Sequence, residues 1–260
     1  MRVLIVGMLC GCIVGTVLPG RGAAADGVVL PLSAADQKEI SAQLGPDVVG
    51  QALPSKPIDD PLLYFPLQER TLGYLITAGK DAGTNQTLHI EQGKRPNGRP
   101  AWRFGLTPSI EGFIRQTPEG DLIMPAVSDS EEGVIVVTTP PNPFVLKGMQ
   151  PGESRTLSQT VAVNYLDDPT SRDYSGTLTA TYTYVGTYQV TVPAGTYNAI
   201  LLRLNYEGNI GPARTQDTAY YFFAFFAAGV GVVAMVSQED IEAFWIVHID
   251  TTTGKVLGHT

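Results

Sequence analysis

The sequence predicts a mainly β protein: an antiparallel, strongly curved sheet or barrel-like fold with one short N-terminal helix. Three observations predict it. After Pro61 the apolar residues recur with period two rather than 3.6. Turn formers recur at short intervals, among them Gly79-Lys80-Asp81-Ala82-Gly83, Pro96-Asn97-Gly98, Pro118-Glu119-Gly120, Pro151-Gly152 and Pro193-Ala194-Gly195. No helical pattern separates these segments, so the strands pair antiparallel rather than through helical crossovers.

The chain begins with an address. Arg2 is a minimal basic region, Val3 to Leu18 is uncharged and apolar, Pro19 to Gly22 break the run, and Ala23-Ala24-Ala25 offers a small-residue cleavage site. That order predicts a bacterial Sec-type signal peptide over 1–25, cut after Ala25, and a periplasmic or secreted protein. Leu9-Cys10-Gly11-Cys12 faintly resembles a lipobox with Cys12 as the lipidated residue, but Cys12 comes early and a further apolar run follows it. Cleavage removes Arg2, Arg21 and both cysteines, and takes the net charge from −8 to −10. The mature chain then has no thiol chemistry and no disulfide. Over the full 260 residues, 43% are hydrophobic, which excludes disorder, and the acidity excludes nucleic acid as a partner.

Residues 26–60 read as a helix followed by an extended segment, and 61–260 as a single β domain. Ser33 is placed to cap a helix, with Asp36 three residues on, and Gly45-Pro46 to stop it. Val48 to Pro61 carries three prolines and reads as irregular or extended. Candidate strands follow from Leu62–Pro66 to Ala243–Asp250. The clearest is Ser175 to Val185, where Thr177, Thr179, Thr181 and Thr183 alternate with Leu178, Ala180, Tyr182 and Tyr184. Ile200, Leu202, Leu204 and Tyr206 alternate likewise, so the two runs pair across the Pro193 turn. Thr139-Pro140-Pro141-Asn142-Pro143 reads as a place where two halves of one sheet meet, and Asp250 to Gly254 as a hairpin loop. Thr218 to Gln238 carries no charge. Its aromatic and β-branched residues, broken by Gly229 and Gly231, favour two buried strands over a membrane span.

Val190-Thr191-Val192-Pro193-Ala194-Gly195-Thr196-Tyr197, with Tyr221-Phe222-Phe223-Ala224 and Gly229-Val230-Gly231-Val232-Val233, resembles an uncharacterised bacterial periplasmic β-rich family. Its members carry a V-x-V-P-A-G-T-[FY] turn and a following G-[VI]-G-[VL]-V strand. Phe144 to Met149 is similar to the segment that opens such a domain. Two departures stand out: Tyr-Phe replaces the usual Trp-Tyr, and extra residues precede Gly229. The resemblance implies export and a curved half-barrel sheet, of a kind that in some cases carries lipids or lipoproteins. It supplies no catalytic residues, so Pro193, Gly195, Gly229 and Gly231 carry over as structural turn positions only.

The residues offer little chemistry. His89, His248 and His259 stand alone, without metal-ligand spacing, so no metal and no cofactor is expected. There is no nucleophile elbow, phosphate loop or dinucleotide fingerprint. Asp59-Asp60, Glu131-Glu132, Asp167-Asp168 and Glu239-Asp240 are acidic pairs, but strand neighbours face opposite ways. Asp167, Asp168 and Asp173 read as solvated loop acids.

The leading functional reading is an exported, non-catalytic binding or envelope-assembly module. Its partner would be an apolar small molecule or an envelope protein, with Tyr182, Tyr184, Phe222 and Phe225 as candidate ligand contacts on a concave sheet face. Filling of the core is the plainer role for those four aromatics. An outer-membrane β-barrel and an envelope hydrolase using paired carboxylates are the alternatives.

Overall fold

The computed structural model describes residues 27–211, 217–243 and 247–258, and their side chains except at 217–222, 239–243 and 247–251. The segment read as a signal peptide, with Cys10, Cys12 and Ala25, lies outside the described residues, as does His259, and the side chains of Phe222 and His248 are likewise undescribed.

Twelve antiparallel strands close on themselves. They are β3 (Arg70–Ala78), β4 (Asn85–Lys94), β5 (Pro100–Gly105), β6 (Ile110–Gln116), β7 (Leu122–Asp129), β8 (Val134–Val145), β9 (Ser154–Tyr165), β10 (Arg172–Val192), β11 (Gly195–Ile210), β12 (Asp217–Ala227), β13 (Gly231–Ala243) and β14 (Val247–Leu257). Each pairs with the next in sequence, and β14 returns to β3 through Tyr74↔Leu257 and Ala78↔Gly254. Closure leaves no free edge within the ring. The expected curved sheet is thus a complete barrel.

Two strands precede the ring: β1 (Val28–Val29) pairs with β2 (Val49–Ser55), and β2 pairs with the end of β10. β10 is long enough for two neighbours on one side. Its first half pairs with β9, and Thr187 to Val190 pair with β2. A register shift at Tyr184–Gly186 separates the two stretches against β11.

Helix α1 (Ala34–Leu44) begins as its residues predict: the Ser33 hydroxyl accepts from the Asp36 N–H at 3.0 Å. It lies on the outer face of the barrel against β13, β14 and β3, burying Ile40 and Leu44. There Arg203 Nη1 of β11 donates to both Asp36 oxygens, at 2.8 and 3.0 Å.

Four segments refine the reading of the sequence. Val48 to Pro61 begins as an extended segment: β2 docks on β10, and Pro54 sits where its partner is the two-residue strand β1. Leu62 to Pro66 is not a strand. Asp60 caps a single helical turn, α2 (Pro61–Tyr64), by accepting from the Leu62 N–H, and Pro61 occupies the first position, where its missing N–H costs nothing. The Thr139–Pro143 segment runs inside β8. Pairing with β7 jumps there from Val137 to Asn142, which spares Pro140 and Pro141 from the ladder. Buried Gln159 braces this bulge, donating from Nε2 to the Pro140 carbonyl at 2.9 Å and Asn142 Oδ1 at 2.8 Å. Finally, Asp250 to Gly254 is strand, not loop. It pairs with Val236 to Asp240, where a threonine-rich run suits a pleated surface.

The uncharged run forms β12 and β13, and no helix among the described residues is long and apolar enough to cross a membrane. Their turn needs Gly229 and Gly231, with φ of 75° and 98°. At Gly231 a Cβ would also meet Arg70 Nη2 at 2.9 Å. Pro193 and Ala194 form the two-residue turn between β10 and β11, with Gly195 opening the second strand against Val192.

Candidate functional site: the barrel lumen

Alternation along each strand sends one set of side chains into the barrel. Leu178 and Tyr182 of β10, Leu202 and Leu204 of β11, Phe226 of β12 and Met235 of β13 all face a cavity of about 810 Å³. Met124, Val127, Val134, Val136 and Val163 complete its apolar wall. The volume is that of a small-molecule site. The cavity reaches the rim at the β3–β4 and β5–β6 turns and the end of β7, through Lys80, Asp81, Thr107, Pro108 and Asp129. The walls there are low, because β3 to β7 are shorter than β10 and β11.

Aromatic rings pack deep in the barrel. Phe65, carried just past α2, meets Phe144 at 4.8 Å, Phe104 at 5.2 Å and Phe226 at 6.4 Å, all edge to face. Buried tyrosine hydroxyls each find a carbonyl: Tyr74 donates to Val232, Tyr182 to Phe144 and Tyr184 to Lys56. Burial raises all three phenols, Tyr74 and Tyr182 well above their ordinary range.

The four aromatics predicted as ligand contacts are not brought together. Tyr182 lines the lumen, 2% exposed. Tyr184 is spent holding Lys56 and Thr187. Phe225 pairs with Leu201 and packs edge to face on Tyr188, whose hydroxyl ties down Leu30, so it serves the N-terminal cover. The Phe222 backbone pairs with Leu204 and Ser237, and its side chain lies outside the described residues.

The residue that sequence reasoning passed over is Lys255. It sits on β14 opposite Met235 and Ile76, all three on the lumen wall, and is 2% exposed. Its Nζ donates to the Leu106 carbonyl and reaches Gln86 Oε1 at 3.4 Å. It also lies 5.5 Å from the centre of the Tyr74 ring. No carboxylate among the described residues pairs with it. Desolvation pushes its pKa down to about 7. Lys255 shares the strand parity of buried Leu257, but that parity marks burial only once β14 closes on β3.

Across the ring, six strands away, Thr138 of β8 also lines the cavity. Its hydroxyl is buried without a hydrogen-bond partner. Thr138→Val keeps the shape and removes that unsatisfied group, so it should leave urea stability unchanged or raise it by about 1 kcal/mol. A loss of that size would mean the hydroxyl is satisfied in solution.

The predicted acids serve turns. Asp60 caps α2, and Asp168 accepts from Thr170 N–H and Oγ1, which holds its carboxyl below the usual range. Tyr165 donates to Asp173 at 3.0 Å. His89 meets Thr71 Oγ1 at 3.1 Å. Among the described residues no group of three potential ligands could hold a metal. A second groove, of about 800 Å³, runs over the outside of β8 to β10 between Thr139, Thr160, Arg172 and Asn209. It holds no buried ionisable side chain.

No family model and no curated protein matches the chain. Among solved structures it is similar to a "putative lipoprotein" from Parabacteroides distasonis, at 13% identity and a TM-score of 0.36, over 76% of this chain and 97% of that one.

Proposed function

We propose that this is an exported, non-catalytic binding protein of the bacterial cell envelope, which holds an apolar small molecule in its barrel lumen. The observation that carries the reading is the cavity of about 810 Å³, walled by Leu178, Leu202, Leu204, Phe226 and Met235. Export rests on the order of Arg2, the apolar run to Leu18 and the Ala23–Ala25 site.

The distribution of polarity favours a barrel in water over one in a bilayer. Membrane barrels face lipid with apolar residues and keep a polar interior. Here the interior wall is mostly apolar, with Lys255 its one deeply buried charge among the described residues, while the outer face carries the ion pairs of Arg103 with Glu91 and Glu111. Exposed Thr177 and Thr179 lie on the outside of β10. No described acidic pair supports the hydrolase alternative.

Native mass spectrometry tests the reading. Protein purified without detergent should carry, or take up from a bacterial lipid extract, a bound mass of a few hundred daltons. A polypeptide that carries nothing and takes up nothing would overturn it.

A further inference from the structure

We propose that Lys255 anchors the acidic head of a single-chain, monoanionic amphiphile, such as a fatty acid, inside the lumen. This rests on the lumen being a binding cavity and names the class of molecule it takes. Apolar walls alone would accept any oily molecule. A primary amine buried in their midst, bonded at the β5–β6 turn, is a different demand.

An ammonium group has three donors. Lys255 uses two, on the Leu106 carbonyl and on Gln86, both neutral acceptors. A cation enclosed this way is costly until an anion reaches it. A carboxylate arriving through the lumen would take the remaining donor in a charge-assisted hydrogen bond, while its chain lies along Leu202, Leu204 and Met235. Charge at the rim narrows the class further. The other charged groups on the cavity wall are Lys80, Asp81 and Asp129, a net negative set that opposes a multiply charged head. The remaining titratable groups facing the chamber are phenols: Tyr74 beside the amine, then Tyr174, Tyr182 and Tyr206. The cation is therefore matched to one negative charge.

The test compares decanoate with decanol by titration calorimetry on the full mature chain. At about pH 6.5, decanoate should bind at least about tenfold more tightly than decanol, the value of one good charge-assisted contact. Lys255→Met should bind both alike. In the wild type the preference should also shrink as the pH rises to about 9.5, because the amine loses its proton while the alcohol is indifferent. That second comparison stands even if the variant does not fold. Equal binding of acid and alcohol by the wild type at about pH 6.5 would overturn this inference and leave the lumen reading intact. Failure to bind either would overturn both.

Discussion

Raising the pH from about 7 to about 9.5 should stabilise this protein, with a slope approaching 1.4 kcal/mol per pH unit from Lys255 alone. Its folded pKa is about 7, and in the unfolded chain a lysine titrates near 10.4. Below the folded value both states are protonated, and the cost of burying the cation is fully present. Between the two values the unfolded chain still binds the proton that the folded protein has released, so stability rises with pH. Above the unfolded value both are neutral and the cost is gone. The buried tyrosines act in the opposite sense, but later. Their folded pKa values are raised, so they stabilise below about pH 10 and that contribution fades above it. The window from 7 to 9.5 therefore isolates the amine. Lys255→Met, close in volume, should remove most of the slope and be more stable than wild type by a few kcal/mol at about pH 7. Urea midpoints at three pH values decide this. A flat wild-type profile, or the same rise in Lys255→Met, would contradict it.

Phe65→Ala should cost about 3–5 kcal/mol, the range for deleting a fully buried aromatic ring. Phe65 is 0% exposed and joins three other phenylalanines, and the Arg70 guanidinium lies 5.9 Å from its ring centre. Each edge-to-face pair adds to the burial term. The ring also links α2 to β5, β8 and β12, so its loss enlarges the chamber rather than letting it collapse. Phe65→Leu should recover more than half of the loss. Urea unfolding measures both, and a cost under about 1 kcal/mol for the alanine variant would mean the ring is not packed as described.

These two residues also show where the sequence could and could not be read. Strict alternation from Thr177 to Tyr184 identifies β10 because its two faces differ: threonine outside, large apolar residues inside. The Ser33 cap identifies α1 through a purely local hydrogen bond. The run from Tyr220 to Phe226 is different. Inner Phe226 and outer Phe225 are both apolar, since Tyr188 packs on Phe225 from outside and its hydroxyl ties down Leu30 of the N-terminal segment. Parity alone cannot separate them, and Phe225 reads as a ligand contact when it is a cover residue. Phe65 is hidden because one helical turn has too few residues to show a period, although Asp60-Pro61 carries its start signal. Closure itself depends on β14 meeting β3, a contact between chain segments far apart, which no local pattern records. Lys255 is obscured for the same reason. Its burial follows from that closure and from Leu106 on a distant turn.

The most direct test of the account is a native mass spectrum of the wild type beside Leu204→Trp, after both meet the same lipid extract. Leu204 faces the chamber, 7% exposed, and the larger tryptophan side chain there would take up part of its volume. The wild type should carry a bound amphiphile, and the folded variant much less. Equal loading of the two proteins would place the ligand outside the lumen and contradict the central claim.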